Sequence, residues 1–293
     1  MDFTIGCDPE IFVKDKTTGK AVSAHGLIEG TKEAPFKVNG GAYQVDGMAV
    51  EFNTDPIVMD TSSAVFSQNV LRVMDRLKAD VQASNKELTF DFSATADFDK
   101  DYLDSQPDEA KELGCDPDFN AYTLEQNSPP DAENVLFRTA AGHVHVGWTS
   151  GAPTDHPDHL EICANAVKAL DASVGLVSLI YEPDNRRREL YGKAGAFRPK
   201  EYGVEYRTPS NFWIVNHEHR RAMFLTVKRT MNNLMRYRGD VDACVKYMTS
   251  ETPDNIRSII DNNEIGIAKR ILSMRCIASL EGKWRSDAAL GWE

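Results

Sequence analysis

The stretch Gly142-His143-Val144-His145-Val146-Gly147 predicts a short apolar β-strand that carries two histidines. Because residues i and i+2 of a strand point to the same face, both imidazoles would lie on one side of a sheet. A single histidine is more often a satisfied core residue, whereas this glycine-bracketed pair favours a binding site. Imidazole is a ligand for Mn²⁺ or Zn²⁺, or a hydrogen-bond donor to phosphate.

The same spacing recurs in two other segments that are predicted to be strands. Asp8 and Glu10 lie two positions apart in one of them, and Glu205 and Arg207 do so in the other. Pro9, between the two carboxylates, predicts an edge strand or a bulge, because proline cannot donate to a β-ladder. Each pair alone is compatible with a solvated sheet surface. Together, the three pairs predict one polar pocket suited to divalent metals and a phosphate-bearing substrate.

A further carboxylate, Glu51, is flanked by the apolar residues Val50 and Phe52. It either alternates outward to solvent or points into the pocket, where its oxygens would suit Mg²⁺ or Mn²⁺. Asp46, five positions earlier, is the candidate for a second carboxylate at this point.

Residues 182–200 are rich in arginine and glycine, in a chain whose formal net charge is −12. The segment is either a solvated charge run or a phosphate clamp. We favour the clamp, because small residues let the backbone approach a ligand and guanidinium groups bind phosphate oxygens bidentately. The basic residues are Arg186, Arg187, Arg188, Lys193, Arg198 and Lys200. A Walker loop is absent from the sequence.

Strand-like sequence clusters in residues 1–55 and in the middle of the chain, and segments with helical periodicity surround it. Apolar stripes predict helices over residues 61–83, 155–181, 216–236, 240–249 and 253–274. This order predicts an α+β fold with a largely antiparallel sheet flanked by helices. We predict a single catalytic domain over residues 1–293, with an acidic surface excursion at about 93–135, where periodicity is weak.

The composition bounds the location and the partners of the protein. A net charge of −12 gives no long-range attraction to nucleic acid or to an anionic membrane. The five cysteines are widely spaced and odd in number, which predicts reduced and mostly buried thiols. The N-terminus carries no leader-like region, and no apolar run approaches the length of a bilayer. We therefore expect a cytoplasmic protein.

In their order along the chain, these motifs resemble the phage-type COOH–NH2 ligases, within the glutamine-synthetase-like and γ-glutamylcysteine-synthetase-like carboxylate–amine ligases. Asp8-Pro9-Glu10 is similar to the acidic pair that opens the catalytic sheet in that superfamily. His143-Val144-His145 is similar to its His-x-His strand, and Glu205-Tyr206-Arg207 to its Glu-x-Arg strand. The resemblance covers about residues 4–55 and 137–214. The chain departs from the family pattern at Asp8, which is shorter than glutamate, and in the spacing of Asp46 and Glu51.

The resemblance implies a curved antiparallel sheet of glutamine-synthetase catalytic type, with ATP and two or more Mg²⁺ or Mn²⁺ ions inside. It also implies the reaction: ATP phosphorylates a carboxylate, and an amine then displaces phosphate to leave an amide. The metal ligands it implies are Asp8, Glu10, Glu51, His143 and Glu205. The catalytic residues it implies are Arg198, Arg207 and Glu205, and the nucleotide contacts are Arg188, Lys193, Arg198, His145 and Arg207.

The same resemblance implies small-molecule carboxylate and amine substrates, and an amino acid, a peptide end or a modified nucleotide would each suit. A phage-encoded enzyme would act in the host cytoplasm.

Three other functions use overlapping residues. A guanidine-kinase-like phosphotransferase would transfer phosphate without forming an amide, and a metal-dependent hydrolase would need no arginine-rich segment. A noncatalytic phage protein would bind neither nucleotide nor metal.

Overall fold

The computed structural model describes residues 2–111, 118–128, 135–148, 156–182 and 184–274. Within these ranges, eleven strands form one sheet and two more strands pair separately. The strands are β1 (Phe3–Asp15), β2 (Ala21–Val22), β3 (Phe36–Val38), β4 (Gly41–Asp46), β5 (Ala49–Thr54), β6 (Ile57–Val58), β7 (Leu88–Asp91), β8 (Thr95–Asp97), β9 (Phe119–Asn120), β10 (Phe137–Thr139), β11 (Gly142–Trp148), β12 (Ala196–Lys200) and β13 (Gly203–Tyr206).

The main path through the large sheet runs β3-β4-β5-β1-β11-β13-β12-β9. Every pairing along this path is antiparallel. β2, β6 and β7 also pair antiparallel with β1. The predicted α+β fold with a largely antiparallel sheet is therefore confirmed.

Ten α-helices lie within the described residues. They are α1 (Ser63–Ser84), α2 (Lys100–Asp104), α3 (Asp108–Lys111), α4 (His159–Leu170), α5 (Leu176–Tyr181), α6 (Arg186–Leu190), α7 (His217–Arg236), α8 (Val241–Thr249), α9 (Pro253–Asp261) and α10 (Ile265–Met274). The predicted helices over 61–83, 216–236 and 240–249 are confirmed. The helix predicted over 253–274 is two helices, because Asn263 between them adopts a left-handed φ of 52°, which ends a helix and which asparagine tolerates.

The long helix predicted over 155–181 is described from His159 onward and contains one π-helical turn, Asp171–Gly175. The span His159–Tyr181 is 23 residues long and contains an 18-residue window with a mean hydropathy of 1.4, so by length and composition it could cross a membrane. The expectation that no apolar run approaches that length is wrong on this measure. In the structure, 83% of its most apolar window is buried inside the protein, as in a core helix.

The two faces of β1 meet different surroundings. Ile5, Cys7, Ile11 and Val13 belong to the main core, which also contains apolar side chains of α1 and α7. The alternate positions of β1 point to the other face, where Phe12 packs in a smaller cluster. Its partners there are Met48, Ala49, Ala96, Phe98, Leu103, Ala110 and Ala140. Part of the predicted acidic excursion thus packs on the face of the sheet that carries Asp8 and Glu10. Residues 112–117 and 129–134 of that excursion lie outside the described residues.

Pro9 does not mark an edge strand, because β1 is paired on both sides. Pro9 pairs with Gly142, and the next residue, Glu10, donates its N–H to Ala141 on the same side at 2.8 Å. The nitrogen of Pro9 therefore faces the opposite side of the strand. On that side of β1, residues 4–5 pair with β6 and residues 10–11 pair with β5, and Pro9 lies between these two pairings. The missing donor removes no bond from the ladder.

Gly142, at the start of β11, is required by close packing. A Cβ atom there would lie 2.2 Å from the carbonyl oxygen of Ser210 and 2.7 Å from Nε1 of Trp213. Trp213, in the 3-10 turn Asn211–Ile214, donates from Nε1 to the carbonyl oxygen of Gly142 at 3.0 Å. This contact fixes the histidine strand against the segment that follows β13.

Candidate active site

Strand register brings the three predicted pairs onto one face of the sheet. Asp8 on β1 lies directly opposite His143 on β11. His145, two residues further along β11, lies opposite Glu205 on β13. Glu205 in turn lies opposite Arg198 on β12. Because directly opposite residues share a face, four adjacent strands place these side chains side by side.

A metal ion could be held by a cluster of three side chains, Asp8, His145 and Glu205. Their ligand atoms all lie within 4.8 Å of one another. Nε2 of His145 is 2.9 Å from Oδ1 of Asp8. Nδ1 of His143 lies 3.4 Å from the same oxygen and 3.6 Å from Oε1 of Glu205. Both histidines therefore border the cluster, and His145 supplies its nitrogen ligand.

The donor atoms of this cluster fit a divalent cation. Oδ1 of Asp8 and Nε2 of His145 are buried and lie 2.9 Å apart, as an ion pair. When the imidazole is neutral, the same two atoms can act together as ligands of one cation. Carboxylate oxygens with one imidazole nitrogen suit Mn²⁺, Mg²⁺ or Zn²⁺.

A hydrogen bond on the far side of its ring from Asp8 orients His145. Its Nδ1 is hydrogen-bonded to the Tyr202 hydroxyl, from the turn between β12 and β13. When Nδ1 carries the proton and donates to that oxygen, Nε2 keeps its lone pair for a metal ion. The contact with Tyr202 is therefore compatible with the tautomer that coordination requires.

Electrostatics divide the carboxylates of the site into two groups. Burial acts to raise the pKa of Asp8, but the imidazoles of His145 and His143 outweigh it, and the pKa lies well below its usual range. Burial likewise acts to raise the pKa of Glu205, but the charges of His143 and Arg207 lower it to about 2. Both carboxylates are therefore ionised at neutral pH.

Glu10 and Glu51 form the second group, and they lie directly opposite each other on β1 and β5. Burial, followed by the nearby charge of Asp46, raises the pKa of Glu10 to about 7. Burial and the charges of Asp8, Asp46 and Glu10 raise the pKa of Glu51 well above its usual range. Gln44 donates from Nε2 to Glu51 at 3.2 Å. A half-buried group of carboxylates that repel one another is stabilised by a cation or by protons.

Cation binding is expected to release protons and to strengthen as the pH rises toward about 7, because only an ionised carboxylate is a metal ligand. Glu10, whose pKa is about 7, binds a proton in the cation-free protein below that pH, and the pKa of Glu51 is raised in the same direction. Calorimetric titration with Mn²⁺ in two buffers of different ionisation enthalpy, at about pH 6 and about pH 8, measures both effects. Equal affinities at the two pH values, with no dependence on the buffer, would contradict the assignment.

Three cationic side chains converge on Glu205, which is itself only 1% exposed. Nη1 of Arg207 donates to Oε1 of Glu205. Nζ of Lys200 lies 2.8 Å from Oε2, and Nη1 of Arg198 lies 3.5 Å from Oε1. This excess of positive charge beside the carboxylate cluster is suited to phosphate oxygens.

Arg188 and Lys193 lie elsewhere. Arg188 is buried on α6, where its Nη2 donates to Ser178 at 2.7 Å and to Glu182 at 3.1 Å. Among the described residues, it makes no contact with the carboxylate cluster. The Lys193 side chain is exposed. The backbone carbonyl oxygen of Lys193 accepts a hydrogen bond from the Thr208 hydroxyl at 3.0 Å.

The Arg187 side chain lies close to the site, but its hydrogen bonds go to backbone carbonyl groups and not to the carboxylate cluster. Its guanidinium donates to three successive carbonyl oxygens, those of Arg207, Thr208 and Pro209, at 3.2, 2.7 and 3.0 Å. It therefore fixes the chain that leads out of β13. A Cβ atom on Gly192, whose φ is +76°, would lie 2.1 Å from Nη1 of Arg187, so glycine is required there.

Arg188→Ala is expected to lower the free energy of unfolding by about 3 kcal/mol, because it removes one partner of a buried ion pair. Denaturant unfolding measures this loss, and the matched change Lys193→Ala, at an exposed position, should leave stability unchanged. If Arg188→Ala left stability intact and instead weakened nucleotide binding, Arg188 would be a ligand-binding residue, as the family resemblance implies.

Sequence reasoning included Lys200 only as a member of the basic segment, without a role of its own, and it missed Asp118. Lys200 lies two residues after Arg198 on β12, so the same i, i+2 spacing could have identified it. Asp118 belongs to the excursion, and its Oδ2 lies 3.2 Å from Nε of Arg207. In sequence, Asp118 belongs to Gly114-Cys115-Asp116-Pro117-Asp118, an echo of Gly6-Cys7-Asp8-Pro9-Glu10 that is ascribed to chance or to shared turn chemistry. The echo does not indicate Arg207 as a partner.

Comparisons with known proteins agree with these motifs. Residues 131–243 match the family described as phage phiEco32-like COOH·NH2 ligase-type 2. That range contains the histidine strand, the basic segment and the Glu-x-Arg strand, so the resemblance inferred from them is confirmed. No curated protein matches the chain. A solved structure described as a GmaS/ADP complex in conformation 1 is similar at a TM-score of 0.43 and 11% identity, over 100% of this chain and 71% of that one.

Proposed function

We propose that this chain, similar over residues 131–243 to a family of carboxylate–amine ligases, is an ATP-dependent ligase that forms an amide through an acyl phosphate. The observation that carries the proposal is one sheet face on which a cation-binding cluster adjoins three converging cations. A hydrolase that used the same acidic and imidazole ligands would need no such positive group.

The two groups of acidic residues would hold two or more Mg²⁺ or Mn²⁺ ions. Asp8, His145 and Glu205 would hold one, with His143 beside them, and Glu10 and Glu51 would hold another. Bound there, a divalent cation would supply Lewis-acid stabilisation of charge on phosphate oxygens.

In the first step, a carboxylate oxygen of the substrate attacks the γ-phosphorus of ATP. The bond from that phosphorus to the bridging oxygen breaks, and ADP leaves. Arg207 and Arg198 would bind the equatorial oxygens of the transferring phosphoryl group, where charge is spread in the transition state. Both side chains already lie at Glu205 on the sheet face, so little rearrangement is needed to orient them.

In the second step, the amine nitrogen attacks the acyl carbon. The bond from that carbon to the phosphate oxygen breaks, inorganic phosphate leaves, and the nitrogen loses a proton as the amide forms. Activation must come first, because a free carboxylate is a poor acylating agent. Arg207 would stabilise the departing phosphate with the charge it used in the first step.

A coupled assay for ADP release tests this function, with pools of small carboxylates and amines supplied together and each omitted in turn. Sustained release of ADP and phosphate only when both pools are present is the expected result. A stable phosphorylated product from one substrate alone would identify a phosphotransferase instead. A folded protein that binds neither ATP nor Mn²⁺ by calorimetry would contradict any nucleotide-dependent function.

A further inference from the structure

The Arg207 guanidinium contacts two acidic side chains, one from the sheet and one from the excursion. Nη1 donates to Glu205, which precedes it by two residues, and Nε donates to Asp118 at 3.2 Å. The Arg207 side chain is 4% exposed and that of Asp118 is 16% exposed, so the pair is largely shielded from water. An ion pair in such surroundings is stronger than one on the surface.

The segment that carries Asp118 is firmly attached to the rest of the protein. Asn127 closes it on itself, donating from Nδ2 to Oδ1 of Asp118 and from its backbone N–H to the carbonyl oxygen of Asp118, each at 2.8 Å. Tyr122 donates its hydroxyl to Oδ2 of Asp171, at the π-helical turn, at 3.0 Å. The same Asp171 oxygen accepts from the N–H of Gly195 at 2.7 Å.

Asp171 also fixes the end of β13. Its Oδ1 accepts from the hydroxyl of Tyr206 at 2.7 Å and from that of Thr208 at 3.2 Å. Because one carboxylate ties the two residues that flank Arg207 to the loop that carries Asp118, the two partners of the ion pair share a rigid support. Asp118 is therefore placed by packing and not only by its own charge.

Arg207 and a metal ion would compete for the carboxylate oxygens of Glu205. Its oxygens already face Arg207, Lys200 and Arg198, and coordination of a cation would draw on the same lone pairs. A cation beside Glu205 would also repel the guanidinium. Asp118, on the far side of Arg207, offers a counter-charge that the metal site does not use.

We propose that Asp118 is a positioning residue that holds Arg207 beside the metal site and limits its competition with the cation for Glu205. This inference rests on the ligase function proposed above. It predicts that loss of the Asp118 charge weakens both cation binding and phosphoryl transfer, and that both effects pass through Arg207.

The test uses Asp118→Asn in the full chain, with Glu125→Gln as the matched control, an exposed acidic residue in the same loop. We expect Asp118→Asn to weaken Mn²⁺ binding, followed by electron paramagnetic resonance, and to lower kcat, each by about 10- to 100-fold, as for other partners that orient a site. Asp118→Glu, which restores the charge, should recover part of both. Glu125→Gln should match the wild type.

A double-mutant cycle on Mn²⁺ affinity, which needs no activity, separates positioning from general damage to the fold. In an Arg207→Gln background, Asp118→Asn should have no further effect, because its partner is gone. Full additivity of the two changes would overturn the proposal, as would wild-type Mn²⁺ affinity and kcat in Asp118→Asn. If the wild-type protein bound Mn²⁺ but turned over no ATP, the ligase proposal would fail while the affinity cycle still decided the role of Asp118.

Discussion

Glu205→Gln is expected to lower ATP turnover by about 10³-fold or more, since loss of the metal at a phosphoryl-transfer site removes several kcal/mol of stabilisation. Glu205 is the group at which the metal cluster and the three cations meet. The amide keeps the size of the side chain but loses the charge that both sets of partners need. Mn²⁺ binding should weaken together with turnover.

The matched control for Glu205→Gln is Glu201→Gln, an exposed position in the turn between β12 and β13. It should retain wild-type turnover and Mn²⁺ binding. Because Glu205→Gln leaves three cations without their carboxylate, its fold must be checked by circular dichroism. Asp8→Asn, which removes another ligand of the same cluster, gives an independent variant. Wild-type turnover in both site variants would refute the assignment of the metal site.

Arg207→Ala is expected to lower kcat by about 10³-fold, the scale on which an arginine that stabilises phosphoryl transfer contributes. The expected cause is loss of positive charge at the transferring phosphoryl group, so the effect on kcat should exceed that on the KM for ATP. Steady-state kinetics with varied ATP separates the two.

Arg270→Ala, at an exposed position on α10, serves as the control for loss of an arginine. It should leave both constants unchanged. If Arg207→Ala raised the KM for ATP with kcat unchanged, Arg207 would bind ground and transition states equally, and its catalytic role would be withdrawn.

The parts of the site that follow from strand periodicity could be predicted from the sequence. Asp8 with Glu10, His143 with His145, and Glu205 with Arg207 are i, i+2 pairs, and local backbone geometry alone puts each pair on one face. The register between strands could not be predicted in this way. It is decided by pairings between distant segments, and it places Asp8 opposite His143 and His145 opposite Glu205.

The roles of Arg187, Arg188 and Asp118 could not be predicted either. They depend on the direction in which each side chain points, which is decided by tertiary packing and not by the local sequence. The Arg187 and Arg188 pair falls on a short helix, α6, that turns both guanidinium groups inward to Glu182 and to backbone carbonyls. A charge run of this kind looks the same in sequence whether it binds a phosphate or supports the fold. Asp118 reaches the site from an irregular segment, where neither a period nor a motif signals its partner.

Identification of the product tests the central claim most directly. The protein is incubated with ATP, Mg²⁺ and pools of small carboxylates and amines, and the mixture is analysed by mass spectrometry. The proposed function predicts a new species whose mass is the sum of one carboxylate and one amine less one water, formed together with ADP and phosphate and absent with Glu205→Gln. A stable phosphorylated substrate in place of the amide, or ADP and phosphate with no condensed product, would contradict it.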